Sequence, residues 1–213
     1  MKLLVPIFLN CFFVAFFYLL DKKTGFRKLN YISKQILIGL IFGGLSAFAS
    51  GYGVEIIGTV ANVRDAAPLC TGLIFGGPSG IIAGIIGGLY RFFSVYWGGG
   101  VYTRVACTLS TMLSGFIAAV LRRFMFDNKK PTWSYGVFIT VVCEVIHMMM
   151  IFFTNMDDSS YAFEFVKGAT VPMIIGNSAA VGFSLLVVSL LNHEERKSEK
   201  KNERISQTFQ RKL

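Results

Sequence analysis

Seven apolar runs separated by short polar islands make up most of the chain. The first occupies residues 3–20 and the second 36–53, and the last three are 101–121, 134–153 and 169–191. Each approaches the roughly 20 residues that a helix needs to cross a hydrocarbon core of about 30 Å. Between them, AAPLCTGLIFGG (66–77) is too short to span unaided, and it runs through Pro78 into SGIIAGIIGGLYRFFSVYW (79–97). Proline lacks an N–H and glycine flanks it, so a break at Gly76–Gly80 is expected. The pattern predicts an all-α polytopic membrane protein with seven transmembrane segments, one of them short.

Composition agrees. Hydrophobic residues are 54% of the 213 and charged residues only 15%, against about 25% charged in soluble domains. The spans leave no room for a folded soluble catalytic domain. A formal net charge of +9 would suit nucleic acid, but most of the basic residues fall in three clusters: Lys22 to Lys34, Arg122 to Lys130, and the tail from Arg196 to Lys212. Cytoplasmic loops carry such an excess, so the charge is topological and no nucleic-acid partner is expected. The clusters also set parity. Residues 101–121 must end at cytoplasmic Arg122 and Arg123, so 79–97 runs outward and 66–77 is a separate, short inward helix. The N-terminus is then outside and the C-terminus cytoplasmic. Cys11, Cys70, Cys107 and Cys143 lie in apolar runs without metal-ligand spacing, so free thiols are expected, with no metal and no cofactor.

Several residues stand where a bilayer penalises them. Gly80, Gly84 and Gly88 share one helical face, which favours close helix packing. By the topology above, Arg64, Arg91 and Arg104 lie near the outer ends of consecutive helices. Arg91 sits roughly 18 Å up a core of about 30 Å. Ionisable groups at such depth face a protein interior or an aqueous cavity, and an arginine fork binds a carboxylate or phosphate. With only Asp65 nearby, Arg64 and Arg91 leave positive charge that a small anion entering from outside would neutralise. Cys107, Ser110 and Thr111 share a face of the next helix and supply neutral polar contacts. Arg104 reads equally as a snorkelling residue. Glu144 and His147, at i and i+3, form a second pair near mid-membrane, either a structural hydrogen bond or a proton- or ligand-coupled switch. Asn177 and Ser178 could join either network. No nucleophile with its base, and no phosphate-cradling loop, appears, so no enzyme is read in these residues.

At ANVRDAAPLCTGLIFGGPSGIIAGIIGGLYRF the chain resembles the LytS/YhcK-type five-transmembrane receptor domain. The shared pattern is N-x-R before the short helix, G-L-x-F-G-G-P-x-G at the break and A-G-x-x-G-G-x-x-R after it, with C-x-x-S and E-x-x-H-M later. The resemblance covers residues 30–192 and adds Asn62, from the N-x-R, to the ligand-binding set. It implies the sensory input of a bacterial histidine kinase or diguanylate cyclase in the plasma membrane, with the output domain following in the native protein. FFSVYW, after Arg91, is longer than the spacer usual in that family. The short helix and six-helix order from residue 36 are also similar to the substrate-binding subunits of energy-coupling-factor transporters, which is the alternative function.

The expected organisation is an N-terminal helix with its basic loop (1–35), a six-helix sensory domain (36–192) and a cytoplasmic linker (193–213). Within the linker, Ile205, Phe209 and Leu213 at i, i+4 and i+8 form an apolar stripe. That stripe predicts a signalling helix paired with its twin in a homodimer. The expected partners are thus a small anion, membrane lipids and a second copy.

Overall fold

The computed structural model describes residues 2–23, 25–56 and 58–210. Its helices are α1 (Leu4–Lys23), α2 (Tyr31–Ser50), α3 (Ala66–Ile74), α4 (Gly77–Gly98), α5 (Arg104–Phe124), α6 (Trp133–Thr154) and α7 (Ser159–Gln210). Among the described residues, six of these, all but α3, are long and apolar enough to cross a membrane. The chain is a multi-span membrane protein. The seven-segment count is not confirmed: the short segment α3 has nine residues, which reach only about 14 Å.

What α3 does instead is visible from its neighbours. At its start Asp65 is bonded to Thr111 in the first half of α5. At its end the Leu73 carbonyl accepts from Arg122 at the foot of α5. The half-helix therefore runs beside the second half of α5, and the extended chain before it covers the remaining distance. Irregular backbone at membrane depth must be satisfied inside the protein, and here it is. Gln35 of α2 donates to the Phe75 carbonyl (3.1 Å) and accepts from the Ser79 N–H (3.1 Å). Ser79 donates its hydroxyl to the Gly76 carbonyl (2.8 Å), and Pro78 occupies the first turn of α4, where a missing N–H costs nothing.

The glycine stripe packs inside the chain. A Cβ on Gly80 would lie 2.6 Å from the Gly72 Cα of α3, so only glycine allows these backbones to meet. Gly84 and Gly88 give α5 the same close approach. α4 is thus clasped between α2, α3 and α5, while α7 packs on α6 and α1.

Two further findings concern the polar islands. The stretch after α2 is a β-hairpin, with β1 (Gly53–Ile56) antiparallel to β2 (Thr59–Asn62) and Gly53 opposite Asn62. Apart from this one hairpin the described fold is helical, as expected. The connection between the runs 134–153 and 169–191 is shorter than their spacing implies. A single 3-10 turn, Met156–Asp158, leads straight into α7, which includes Glu164. Ala162, Phe165 and Ala169 form a buried face against Met148 and Ile151 of α6, and that face outweighs the interspersed polar residues.

α7 is helical without interruption from Ser159 to Gln210, across Pro172 and across the boundary placed at residue 193. The side chains of Ile205 and Phe209, and the whole of Leu213, lie outside the described residues.

Candidate functional site

The hairpin end of the bundle encloses a cavity of about 240 Å³, bounded by Ser50, β2, and the end of α4 through Gly100. Asn62, Arg64 and Arg91 line it, together with Tyr90, Ser94 and Trp97. Both arginines are buried, at 2% and 5% exposure, which decides against snorkelling to headgroups for either.

The hydrogen-bond partners of Arg91 are all neutral. Nη2 donates to the Gly100 carbonyl (2.7 Å) and the Thr103 hydroxyl (3.0 Å), and Nη1 to Ser94 Oγ (3.4 Å) and the Gly99 carbonyl (3.5 Å). Gly100, at φ +77°, brings its backbone so near that a Cβ would sit 2.6 Å from Nη2. These contacts fix the fork without neutralising its charge. Arg64 is anchored through its backbone: its N–H donates to Asn62 Oδ1 (3.3 Å) and its carbonyl accepts from Ser46 (3.0 Å). Its head has a weak contact to Ser50 Oγ (3.5 Å), and its Nε is buried without a hydrogen-bond partner, 3.9 Å from Asp65 Oδ1. A buried donor without an acceptor is costly, and the same side chain lines the cavity.

Behind Arg64, Asp65 gathers a second, fully buried cluster. Thr111 donates to Oδ1 (2.6 Å) and Ser110 to Oδ2 (3.4 Å), while His147 Nδ1 lies 3.1 Å from Oδ2. Asp65 also heads α3, where the positive end of the helix dipole favours a carboxylate. The other ring nitrogen of His147 is 3.3 Å from Cys107 Sγ. Glu144 Oε2 lies 3.7 Å from His147 Nδ1, and neither carboxylate oxygen has a hydrogen-bond partner. Ligand atoms of Asp65, Glu144 and His147 come within 4.8 Å of one another, a spacing that a proton on Glu144 or a metal ion could serve.

The structure thus divides the predicted set. Asn62, Arg64 and Arg91 line the cavity. Cys107, Ser110 and Thr111 do not; they join Glu144 and His147 around Asp65. Arg104 belongs to neither group, since its guanidinium lies 3.7 Å over the Phe92 ring and donates to Tyr96. Sequence reasoning missed Asp65 as the hub, the signal being a carboxylate at the head of a buried short helix. It also left Asn177 open. That side chain is fully buried on α7, accepts from the Ala66 N–H (2.9 Å) and donates to the Asn62 carbonyl (3.2 Å). It therefore ties α7 to the backbone on both sides of Arg64.

The family described as 5TMR of 5TMR-LYT matches residues 18–191, a region holding five of the span-length helices and the half-helix α3. The sensor histidine kinase YpdA of Escherichia coli strain K12 is 28% identical over 190 residues, covering 87% of this chain and 32% of that protein. The sensor histidine kinase BtsS of the same strain is 25% identical over 191 residues (85% and 32%). The sensor protein LytS of Streptococcus agalactiae serotype V is 28% identical over 204 residues (85% and 33%). The chain spans about a third of the length of these relatives. No solved structure matches, so the expected likeness to transporter subunits has no solved structure behind it.

Proposed function

The chain belongs to the 5TMR of 5TMR-LYT family, and from that membership we propose that it is the membrane sensor domain of a bacterial signal-transduction receptor. It sits in the plasma membrane with its hairpin end and N-terminus outside. It binds a small extracellular anion, such as a short carboxylate, and passes the signal through α7 to a histidine kinase or diguanylate cyclase domain of the native protein. The observation that carries the reading is the pair of buried guanidiniums on one cavity, Arg91 with neutral partners and Arg64 with an unpartnered Nε. In low dielectric such charge is best stabilised by a counter-charge with matching hydrogen-bond geometry, and a cavity of about 240 Å³ suits a ligand of a few heavy atoms.

Coupling follows from Asn177. An anion drawing on Arg64 shifts the 62–66 backbone, and the two hydrogen bonds from Asn177 transmit that shift to α7. The Asp65 cluster couples the same movement to α5 and α6, with Glu144 and His147 as the switching pair. A ligand that prefers one arrangement moves the population toward it.

Orientation and output are each testable. With Ser159→Cys and Asn128→Cys in separate variants, a membrane-impermeant thiol reagent applied outside should label the first and not the second; the reverse pattern contradicts an outward-facing cavity. Ile205→Cys should cross-link between two copies in membranes, to an extent that changes when a short carboxylate is added and ceases to change in Asn177→Ala. A chain that never cross-links argues against the dimer, and unchanged ligand dependence in Asn177→Ala argues against this route.

A further inference from the structure

We propose that the opposite, basic end of the bundle holds a second site, for an anionic phospholipid. Three cations from different elements converge there on a cavity of about 230 Å³: Lys34 of α2, Arg122 of α5 and Lys130 of the turn that follows α5. Among the described residues Asp21 is the one carboxylate lining it, and it is engaged by Lys34 at 2.7 Å. Arg122 donates to a neutral carbonyl, that of Leu73 (2.6 Å), and the Lys130 ammonium lies 4.0 Å over the Tyr18 ring. Among the described residues, Arg122, held only by a neutral carbonyl, thus brings a guanidinium suited to a phosphate to a lining richer in cations than in carboxylates.

The neighbouring surface says what kind of phosphate. A second cavity, of about 450 Å³, shares Lys130 and continues along α6 and α7 past Trp133, Ser134 and Leu185. A third, of about 310 Å³, shares Trp133 and runs on along Val137, Gly182 and Phe183. Along this connected path the lining passes from cationic to mixed to almost wholly apolar. That is the order of a phospholipid from its phosphate through its glycerol to an acyl chain. Trp133, half exposed between the polar and apolar stretches, occupies the place where tryptophan marks a membrane interface. A free phosphate would use only the first cavity and leave the apolar groove without a role.

The groove is formed by α6 and α7, so an acyl chain seated in it packs on α7 along Ala179, Gly182 and Phe183. Lipid occupancy then stiffens the helix that is proposed to carry the signal. The assignment to the inner leaflet rests on the orientation proposed above; the site itself does not.

The test uses the purified chain in a neutral detergent, with phosphatidylglycerol, phosphatidylcholine or inorganic phosphate added, read by thermal unfolding and by native mass spectrometry. Phosphatidylglycerol should raise the unfolding midpoint and remain bound, and the other two should not. Arg122→Gln with Lys130→Gln should lose that retention, by about fivefold for each cation removed. The exposed Lys130→Gln change alone keeps the test usable if the double variant folds poorly. Equal effects of the two lipids, or full retention in Lys130→Gln, overturn the proposal. Equal stabilisation by inorganic phosphate makes the site a simple anion site and overturns the lipid assignment. An unchanged response of the hairpin-end cavity to short carboxylates in these variants separates this result from the sensor reading.

Discussion

Asp65→Ala should cost the domain about 3–5 kcal/mol of stability, the range for removing one partner from a buried charged cluster. Asp65 is 2% exposed and faces Ser110, Thr111 and His147 at hydrogen-bond distances, with Arg64 beside it. Thr111 keeps a second acceptor in the Cys107 carbonyl (2.9 Å). Ser110 loses its contact with the carboxylate, His147 keeps only the more distant Glu144 at 3.7 Å, and Arg64 is left as a buried cation without its Asp65 counter-charge. Asp65→Asn preserves shape and one acceptor but turns an NH2 toward these donors, so it should cost less, about 1–3 kcal/mol. Unfolding in detergent, compared with the exposed substitution Ser159→Ala, measures both. Asp65→Ala within about 0.5 kcal/mol of the parent, the range of an ordinary surface change, would show that the cluster does not depend on this carboxylate.

The second large effect is on binding. Arg91→Gln and Arg64→Gln should each weaken a short carboxylate by about 30-fold or more, since losing one member of a buried charge pair costs about 2–5 kcal/mol. Arg91→Lys should not restore affinity. The fork of Arg91 is held by Gly100, Thr103, Ser94 and Gly99 at once, and a lysine ammonium cannot reproduce that planar geometry. The stability cost of Arg91→Gln should stay small beside that of Asp65→Ala, because the groups that Arg91 leaves behind are neutral. Titration of each variant by calorimetry gives the ratio, and variants that bind as tightly as the parent would remove both arginines from the site.

Much of this was legible in the sequence, and the limits have physical reasons. Helix positions follow from apolar runs of span length, and the break at Gly76 follows from proline and glycine chemistry. Arg64 and Arg91 declare themselves because a cation at membrane depth needs a reason. The hairpin was hidden because Val54 to Asn62 is short and lacks strict alternation, so it reads as a connection although it is rich in β-branched residues. The division of the polar residues between two sites was hidden for another reason. Cys107, Ser110 and Thr111 do share a helical face, but spacing along one helix cannot say which neighbour that face meets. Asp65 is 46 residues from Thr111 in the chain, and only the descent of α3 beside α5 brings them together. Asn177 illustrates the same point: a buried asparagine on an apolar helix looks like packing until its two backbone partners are seen on either side of Arg64.

The central claim is that the hairpin-end cavity recognises negative charge. Thermal unfolding of the purified parent chain against matched pairs, each a short carboxylate and its neutral amide of the same shape, tests it most directly. The carboxylate of at least one pair should raise the unfolding midpoint, its amide should not, and the rise should disappear in Arg91→Gln. If no carboxylate raises the midpoint, or if an amide stabilises as strongly as its carboxylate, the two buried arginines are not an anion site and the proposed sensing mechanism is contradicted.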